Sequence, residues 1–335
     1  MKPTLLVTID TEEEGLWSGT FQVRDNTVRN IRGVPRFQEL CDEFAVRPTY
    51  LVDTPVAHDE EAVERLCGIQ NGGRCEIGAH LHPWCAPPFE EEVNRRNSYL
   101  CNLPAELQRE KLTRLTESIE EQFGRRPTSF RAGRYGLDII GARILHELGY
   151  LVDSSVTPFT DHSHDDGPNF EDAPFQPYFI DGNELTRANA SGFMLEVPVS
   201  VGFNRSNFRA TQALLKRAKH PWLRSLHPVG VLDRLRIVQR LKFGPEQSNA
   251  AQMKRLADHY LKAGAPCVVM MFHSSSLVPG HSPYVPDARR LETFYSDLSE
   301  TFEYCRGRLE LTSQTLTEFT QDYTAHEPTH VVSSV

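Results

Sequence analysis

Two histidines two residues apart, His80 and His82, close the apolar run Ile77-Gly78-Ala79 and are followed at once by Pro83 and Trp84. Period-two alternation puts residues i and i+2 on one face of a strand. Both imidazoles can therefore converge on one metal ion without distorting the backbone. Alone, His-x-His describes two surface side chains beside a turn more often than a metal site. Chemistry of matching type at the ends of other apolar runs raises its weight. Asp10 and Glu12 follow the run from Leu5 to Ile9, Arg131 and Arg134 bracket Ala132-Gly133, Asp153 follows Val152, and His273 follows Val268 to Phe272. Each has an ordinary explanation: turn acids, a surface ion-pair arginine, a turn cap, a core histidine. Their joint appearance at so many strand ends does not.

Those ends belong to a chain that alternates strand and helix. Apolar runs predict strands at 4–10, 48–52, 75–82, 128–132, 150–154, 194–199 and 266–272, with a last short one at 308–311. Helical spacing predicts helices at 34–44, 60–69, 104–123, 137–148, 287–304 and 316–319, the third with Pro104 in its first turn. Residues 83–103 and 158–189 read as loops, the latter for its Pro, Gly, Asp and Asn. Repeated βα units with continuously apolar strands mean a parallel sheet covered by helices. Seven or eight units favour a closed or nearly closed barrel, in which chemistry sits at the carboxyl ends of the strands. No Gly-x-Gly-x-x-Gly or phosphate-loop sequence follows any strand, which removes the commonest nucleotide readings.

Five stretches also carry a resemblance. Thr8-Ile9-Asp10-Thr11-Glu12, Glu76 to His82, Phe130 to Gly136, Val152 to Val156 and Met271-Phe272-His273 resemble, in order, the motifs of the polysaccharide deacetylase family of the NodB-homology type. More narrowly, the chain is similar to deacetylase-like proteins associated with polysaccharide-assembly glycosyltransferases. The resemblance implies an α/β fold, a distorted (β/α) barrel with about seven parallel strands. It also implies a divalent metal, usually zinc, and hydrolysis of the N-acetyl group of a sugar. Residue by residue, it implies Asp10 as catalytic base, Glu12 and His80 as metal ligands, Arg131 as the arginine that steers the base, Asp153 as the acid that tunes the catalytic histidine, and His273 as general acid. Three positions depart from the common pattern. Thr11 separates what are usually two adjacent aspartates, so the ligand is the longer Glu12. Trp84 stands where the second histidine usually does, so His82 serves instead. One extra residue precedes Tyr135, so Arg134 competes with Arg131. Trp84, Arg134 and Tyr135 are the residues expected to face the substrate.

The chemistry is coherent without the family. A carboxylate and two imidazoles leave metal positions open for substrate. Asp10 takes the proton of the attacking water, His273 protonates the leaving amine, and Asp153 favours the protonated imidazole. The Tyr135 backbone N–H is placed to stabilise charge on the carbonyl oxygen. A serine nucleophile is disfavoured, because Ser274-Ser275-Ser276 lacks a Gly-x-Ser-x-Gly elbow. Cys41, Cys67, Cys75 and Cys267 lie in apolar elements, where burial keeps thiols inert.

With 335 residues the chain can bury a large core, and its 39 % hydrophobic and 24 % charged fractions are those of a globular protein. A net charge of −9 argues against a nucleic-acid binder. Seven cysteines without a Cys-x-x-Cys pair read as reduced thiols, and no apolar run is long enough for a transmembrane segment or signal core. These features predict a cytoplasmic protein. Residues 204–243 differ from the rest, with ten Lys or Arg and one acid, Asp233. They predict a basic helical insertion in a single barrel domain, 1–323, ahead of a flexible tail, 324–335. Such a surface suits an anionic partner: a membrane interface, a lipid-linked glycan or an acidic polymer. The function expected is metal-dependent deacetylation of an N-acetylated saccharide, free or lipid-linked. The alternatives are a catalytically lapsed glycan-binding or scaffold protein, or a hydrolase of a small non-sugar amide.

Overall fold

A computed structural model describes residues 2–218 and 237–326. Its strands are β1 (Thr4–Thr11), β2 (Thr49–Val52), β3 (Glu76–Leu81), β4 (Ser129–Ala132), β5 (Val152–Asp153), β6 (Tyr178–Asp181), β7 (Glu184–Ala188), β8 (Leu195–Glu196), β9 (Val201–Phe203), β10 (Arg240–Lys242), β11 (Cys267–His273) and β12 (Thr312–Ser313). The main sheet runs β11-β1-β2-β3-β4-β5-β8 with every pair parallel, and β12 adds to the start of β1. β1 is buried along its whole length, as expected of a strand covered on both faces. The sheet curls into an incomplete barrel. Between β8 and β11 no ladder forms. Single bonds bridge the gap instead: Ser200 N–H to Val269 O at 3.2 Å, Phe243 N–H to Ser200 O at 2.8 Å and Met271 N–H to Phe243 O at 3.0 Å.

The barrel interior is apolar, with Leu6, Leu51, Val152, Leu195, Val197 and Val269 converging. Leu316 and Phe319, from the Leu316–His326 helix, join the same cluster. That helix closes the end where the strands begin, since Leu316 N–H donates to Thr49 Oγ1 at the start of β2. The opposite, carboxyl end remains open. The outer helices start on side-chain caps: Asp59 for Glu60–Asn71, Asp138 for Ile139–Glu147 and Asp287 for Ala288–Phe302. The 19-residue Ala105–Phe123 helix stops at Gly124, where φ is 67° and a residue with a Cβ would be strained.

Three expectations need correction. Residues 158–189 are not all loop: β6 and β7 form a hairpin, and β6 pairs antiparallel with β8. The last strand lies at Thr312–Ser313, because 303–308 continue the preceding helix as a π turn. The basic segment is helical at Phe208–Ala218, but its end, Arg240–Lys242, is a strand paired with β9. Its centre, 219–236, lies outside the described residues, as does the expected tail beyond His326. The final helix continues through 324–326, three residues past the expected boundary. Among the described residues no helix is long and apolar enough to cross a membrane.

The loop after β3 is held by one buried cation. Lys111 Nζ, with its side chain 0 % exposed, donates to the carbonyls of Pro83, Ala86 and Pro88 at 3.0, 2.6 and 2.6 Å and pairs with Glu91 at 2.9 Å. Replacing Lys111 with Met would leave that carboxylate and three carbonyls unpaired. We expect a loss of about 3–5 kcal/mol of unfolding free energy, readable by urea denaturation.

Candidate metal and hydrolytic site

The carboxyl ends of β1, β3, β4 and β11 bring Glu12, His80, His82, Asp10, Arg131 and His273 together. Glu12, His80 and His82 are all buried, at 1 %, 1 % and 3 % exposure. One oxygen of Glu12, Oε2, lies 3.1 Å from His80 Nε2 and 3.4 Å from His82 Nε2, and the two nitrogens are 3.1 Å apart. A tetrahedron around an ion at ~2.0–2.1 Å has edges of about 3.3 Å, so this triangle has the dimensions of one face. His82 comes into reach because Gly133 has no side chain: a Cβ there would lie 2.1 Å from the His82 ring.

The donor set fits a cation on its own chemistry. His82 Nδ1 is engaged by Glu13 Oε2 at 2.8 Å, which orients Nε2 toward Glu12. Among the described residues Glu12 Oε1 and His80 Nδ1 have no hydrogen-bond partner. Burial lowers both histidines, to about 3 for His80 and about 4 for His82, so they stand as neutral ligands. Glu12 is raised well above the carboxylate range, first by burial and then by Asp10, Glu13, Asp53 and Glu246. Two nitrogen lone pairs and a crowded buried carboxylate are relieved together by one divalent ion.

Glu13 is a supporting residue that the sequence reading missed. It also accepts from Trp84 Nε1 at 2.8 Å, and its own N–H donates to Asp53 Oδ2 at 2.8 Å. Glu13, Asp53, His82 and Cys85 form a second cluster of metal-type donors. The carboxylates there already accept from N–H groups, including Val56 N–H on Asp53 Oδ1 at 2.9 Å. This cluster reads as the support behind His82 rather than a second centre. Trp84, expected to face substrate, lines the cavity, but its N–H is taken by Glu13 and its ring stacks on His82 at 4.3 Å.

Beside the triangle, Asp10 and His273 are register partners on adjacent parallel strands. Arg131, fully buried, donates NH1 to Asp10 Oδ1 at 2.7 Å, NH2 to Thr8 Oγ1 at 2.9 Å and Ser154 Oγ at 2.8 Å, and Nε to Ser154 O at 2.8 Å. Burial alone would raise Asp10. Arg131, His80 and His273 more than offset it and hold it down at about 2, so Asp10 stays a carboxylate. Arg134 does not compete for Asp10: its guanidinium is bound to Asp165 and to Tyr99 Oη, and it lies over the Tyr99 ring at 4.5 Å. Arg134 and Tyr135 are successive left-handed residues, with φ of 54° and 61°. Such strain in non-glycine residues is found where a turn is held for function.

The carboxylate behind His273 is Glu246, not Asp153. His273 Nδ1 lies 2.9 Å from Glu246 Oε2 and 3.1 Å from Oε1, and Glu246 also accepts from Ser276 Oγ at 2.5 Å. Burial would raise Glu246; His273, Ser276 and Lys242 outweigh it and hold the carboxyl below its usual range. Asp153 instead accepts from Ser155 Oγ at 2.7 Å and shares a hydrogen bond with Glu196, its register partner on β8. No motif announces Glu246, which sits in the loop after β10.

These groups open into a cavity of about 260 Å³. Much of its rim comes from the loop after Glu14, which brings Trp17 and Phe21, and from Tyr135, Lys242 and Tyr284. Trp17 stands edge-on to His273 at 5.1 Å and to Tyr284 at 5.2 Å.

No protein-family model and no curated protein matches the sequence. Solved structures do match the fold. A protein from Mycobacterium smegmatis assigned as a polysaccharide deacetylase is 18 % identical, with a TM-score of 0.58, covering 100 % of this chain and 96 % of its own. One from Parabacteroides distasonis assigned as a glycoside hydrolase/deacetylase is 13 % identical, with a TM-score of 0.62, covering 98 % and 73 %. One from Pseudomonas aeruginosa PAO1 assigned as a polysaccharide deacetylase is 13 % identical, with a TM-score of 0.52, covering 98 % and 92 %. The chain therefore has the distorted (β/α) barrel fold that these deacetylase-type structures share.

Proposed function

We propose that the protein is a metal-dependent deacetylase that hydrolyses the N-acetyl group of a saccharide, as a member of the polysaccharide deacetylase family. One observation carries the reading: a buried Glu12/His80/His82 triangle shares a cavity with a carboxylate–imidazole pair, Asp10 and His273, on neighbouring strands. Glu12 Oε2 and the Nε2 atoms of His80 and His82 would hold the ion, zinc being the first choice for one carboxylate and two imidazoles. When bound, the ion supplies Lewis acidity to the scissile amide and to water.

The chain's own residues do the rest. Asp10, kept ionised and aimed by Arg131, accepts the proton of the attacking water. His273, held through Nδ1 by Glu246, turns Nε2 to the cavity and donates a proton to the departing amine nitrogen. Acid and base are thus separate groups, one for water attack and one for departure of the amine. Arg131 is a positioning residue for the base, and Asp153 with Glu196 lies behind it. We read residues 1–323 as the catalytic unit. The basic segment 204–243 is the part that would meet an anionic surface or a lipid-linked substrate, and a cytoplasmic or membrane-peripheral site of action belongs to the same proposal.

Acetate release from a panel of N-acetylated glycans, with and without chelator, tests the function. Release that chelator removes and zinc restores is expected. Release indifferent to chelator, or none from any glycan, would overturn it. Glu246→Gln weakens the bond that holds His273 Nδ1. Acetate release should then fall by roughly tenfold or more with metal content unchanged, and a wild-type rate would take Glu246 out of the mechanism.

A further inference from the structure

One cation in the cavity wall is not used by this chemistry. Lys242 ends β10, across from Val201 of β9, and its side chain lines the same cavity as Asp10, Glu12 and His273. Among the described residues its ammonium makes one hydrogen bond, to the Tyr135 hydroxyl, and no ion pair within 4.0 Å. It lies 5.0 Å from the Tyr135 ring centre, and the Tyr135 hydroxyl itself turns to Met271 Sδ at 3.3 Å. An ammonium has three donors and is costly to bury without a counter-charge. The other cation on the rim, Arg134, is already bound to Asp165. Burial lowers Lys242, to about 8, while Glu246 and Asp10 act in the opposite sense, so at neutral pH it still carries charge.

We propose that Lys242 receives an anionic substituent, a carboxylate or phosphate, of the saccharide whose acetamido group reaches Glu12, His80 and His82. This rests on the function proposed above and narrows its substrate class from N-acetylated sugars in general to acidic ones. Neutral chitin-type chains would leave the ammonium with only a phenol for company. An acidic sugar gives it a charge-assisted partner.

The test is binding by isothermal titration to metal-loaded protein with three probes: N-acetylglucosamine, N-acetylmuramic acid as the carboxylate arm, and N-acetylglucosamine 6-phosphate as the phosphate arm. Wild type should bind at least one acidic probe roughly tenfold more tightly than the neutral one. Lys242→Met should bring that ratio close to one, and Lys242→Arg should keep most of it, which separates charge recognition from a folding defect. Equal affinities in wild type, a preference that survives Lys242→Met, or no binding of any probe would overturn the subsite. Because the readout is affinity, an acidic preference without acetate release would count against the deacetylase function and not against Lys242.

Discussion

Asp10→Asn is expected to reduce acetate release by roughly 10²–10⁴-fold while leaving the metal in place. The amide is nearly isosteric, so Arg131 keeps a partner at the end of β1, but it cannot take a proton. Asp10 also stands outside the Glu12, His80 and His82 triangle, so ligation does not depend on it. Metal content measured on the same preparation that is assayed makes the result readable. Full occupancy with a collapsed rate supports the base. A near-wild-type rate would move the base elsewhere, and loss of metal would make Asp10 a ligand.

The second large effect is at His80. Its Nε2 lies 3.1 Å from both Glu12 Oε2 and His82 Nε2, and among the described residues Nδ1 has no hydrogen-bond partner. His80→Ala removes one of three donors and leaves Glu12 buried among Asp10, Glu13, Asp53 and Glu246 with less to offset it. Metal affinity should fall by at least ~100-fold, beyond the 10–100-fold typical of losing an outer-shell partner, and activity should fall to background. The folded protein should survive, because His80 takes no part in the apolar core clusters. Glu13→Gln is the milder companion. It weakens the bond that orients His82 and should cost about 10–100-fold in affinity. Equal effects of the two variants would mean that His82, not His80, dominates the site.

How much of this was legible in the sequence follows from what each feature depends on. The seven parallel strands were, because a strand buried on both faces writes itself as a continuous apolar run, as in Val268 to Phe272. The residues at their carboxyl ends were legible for the same reason: strand ends fix Asp10, His80, Arg131 and His273 without knowledge of the loops. That His80 and His82 share one face was legible from period two alone, and their Nε2 atoms lie 3.1 Å apart. The β6–β7 hairpin was obscured by composition, although Tyr178-Phe179-Ile180 followed by Asp181-Gly182-Asn183 is a strand-and-turn pattern. The Ala250–Lys262 helix went unread, yet Asn249 and Gln252 form its capping box.

The supporting shell was not legible. Glu246 reaches His273 from a loop whose path depends on how β10 pairs with β9. Asp153 ends a strand, but its neighbour in register is Glu196 and its carboxylate accepts from Ser155, so it is not the partner of His273. Trp84 and Glu13 illustrate the same limit. Neither sequence position announces that an indole N–H will hold the carboxylate that aims His82. Arg134 and Arg131 were alike in sequence. Only the left-handed turn at 134–135 sends one guanidinium to Asp165 and leaves the other on Asp10.

The proposed function depends on Glu12, His80 and His82 holding one divalent ion at the mouth of the barrel. Crystallography of zinc-loaded protein with data on both sides of the zinc absorption edge tests it most directly. A single anomalous peak is expected ~2.0–2.2 Å from Glu12 Oε2, His80 Nε2 and His82 Nε2, absent in His80→Ala crystals grown in the same way. A peak among Glu13, Asp53 and Cys85, or no peak within reach of His80, would contradict it.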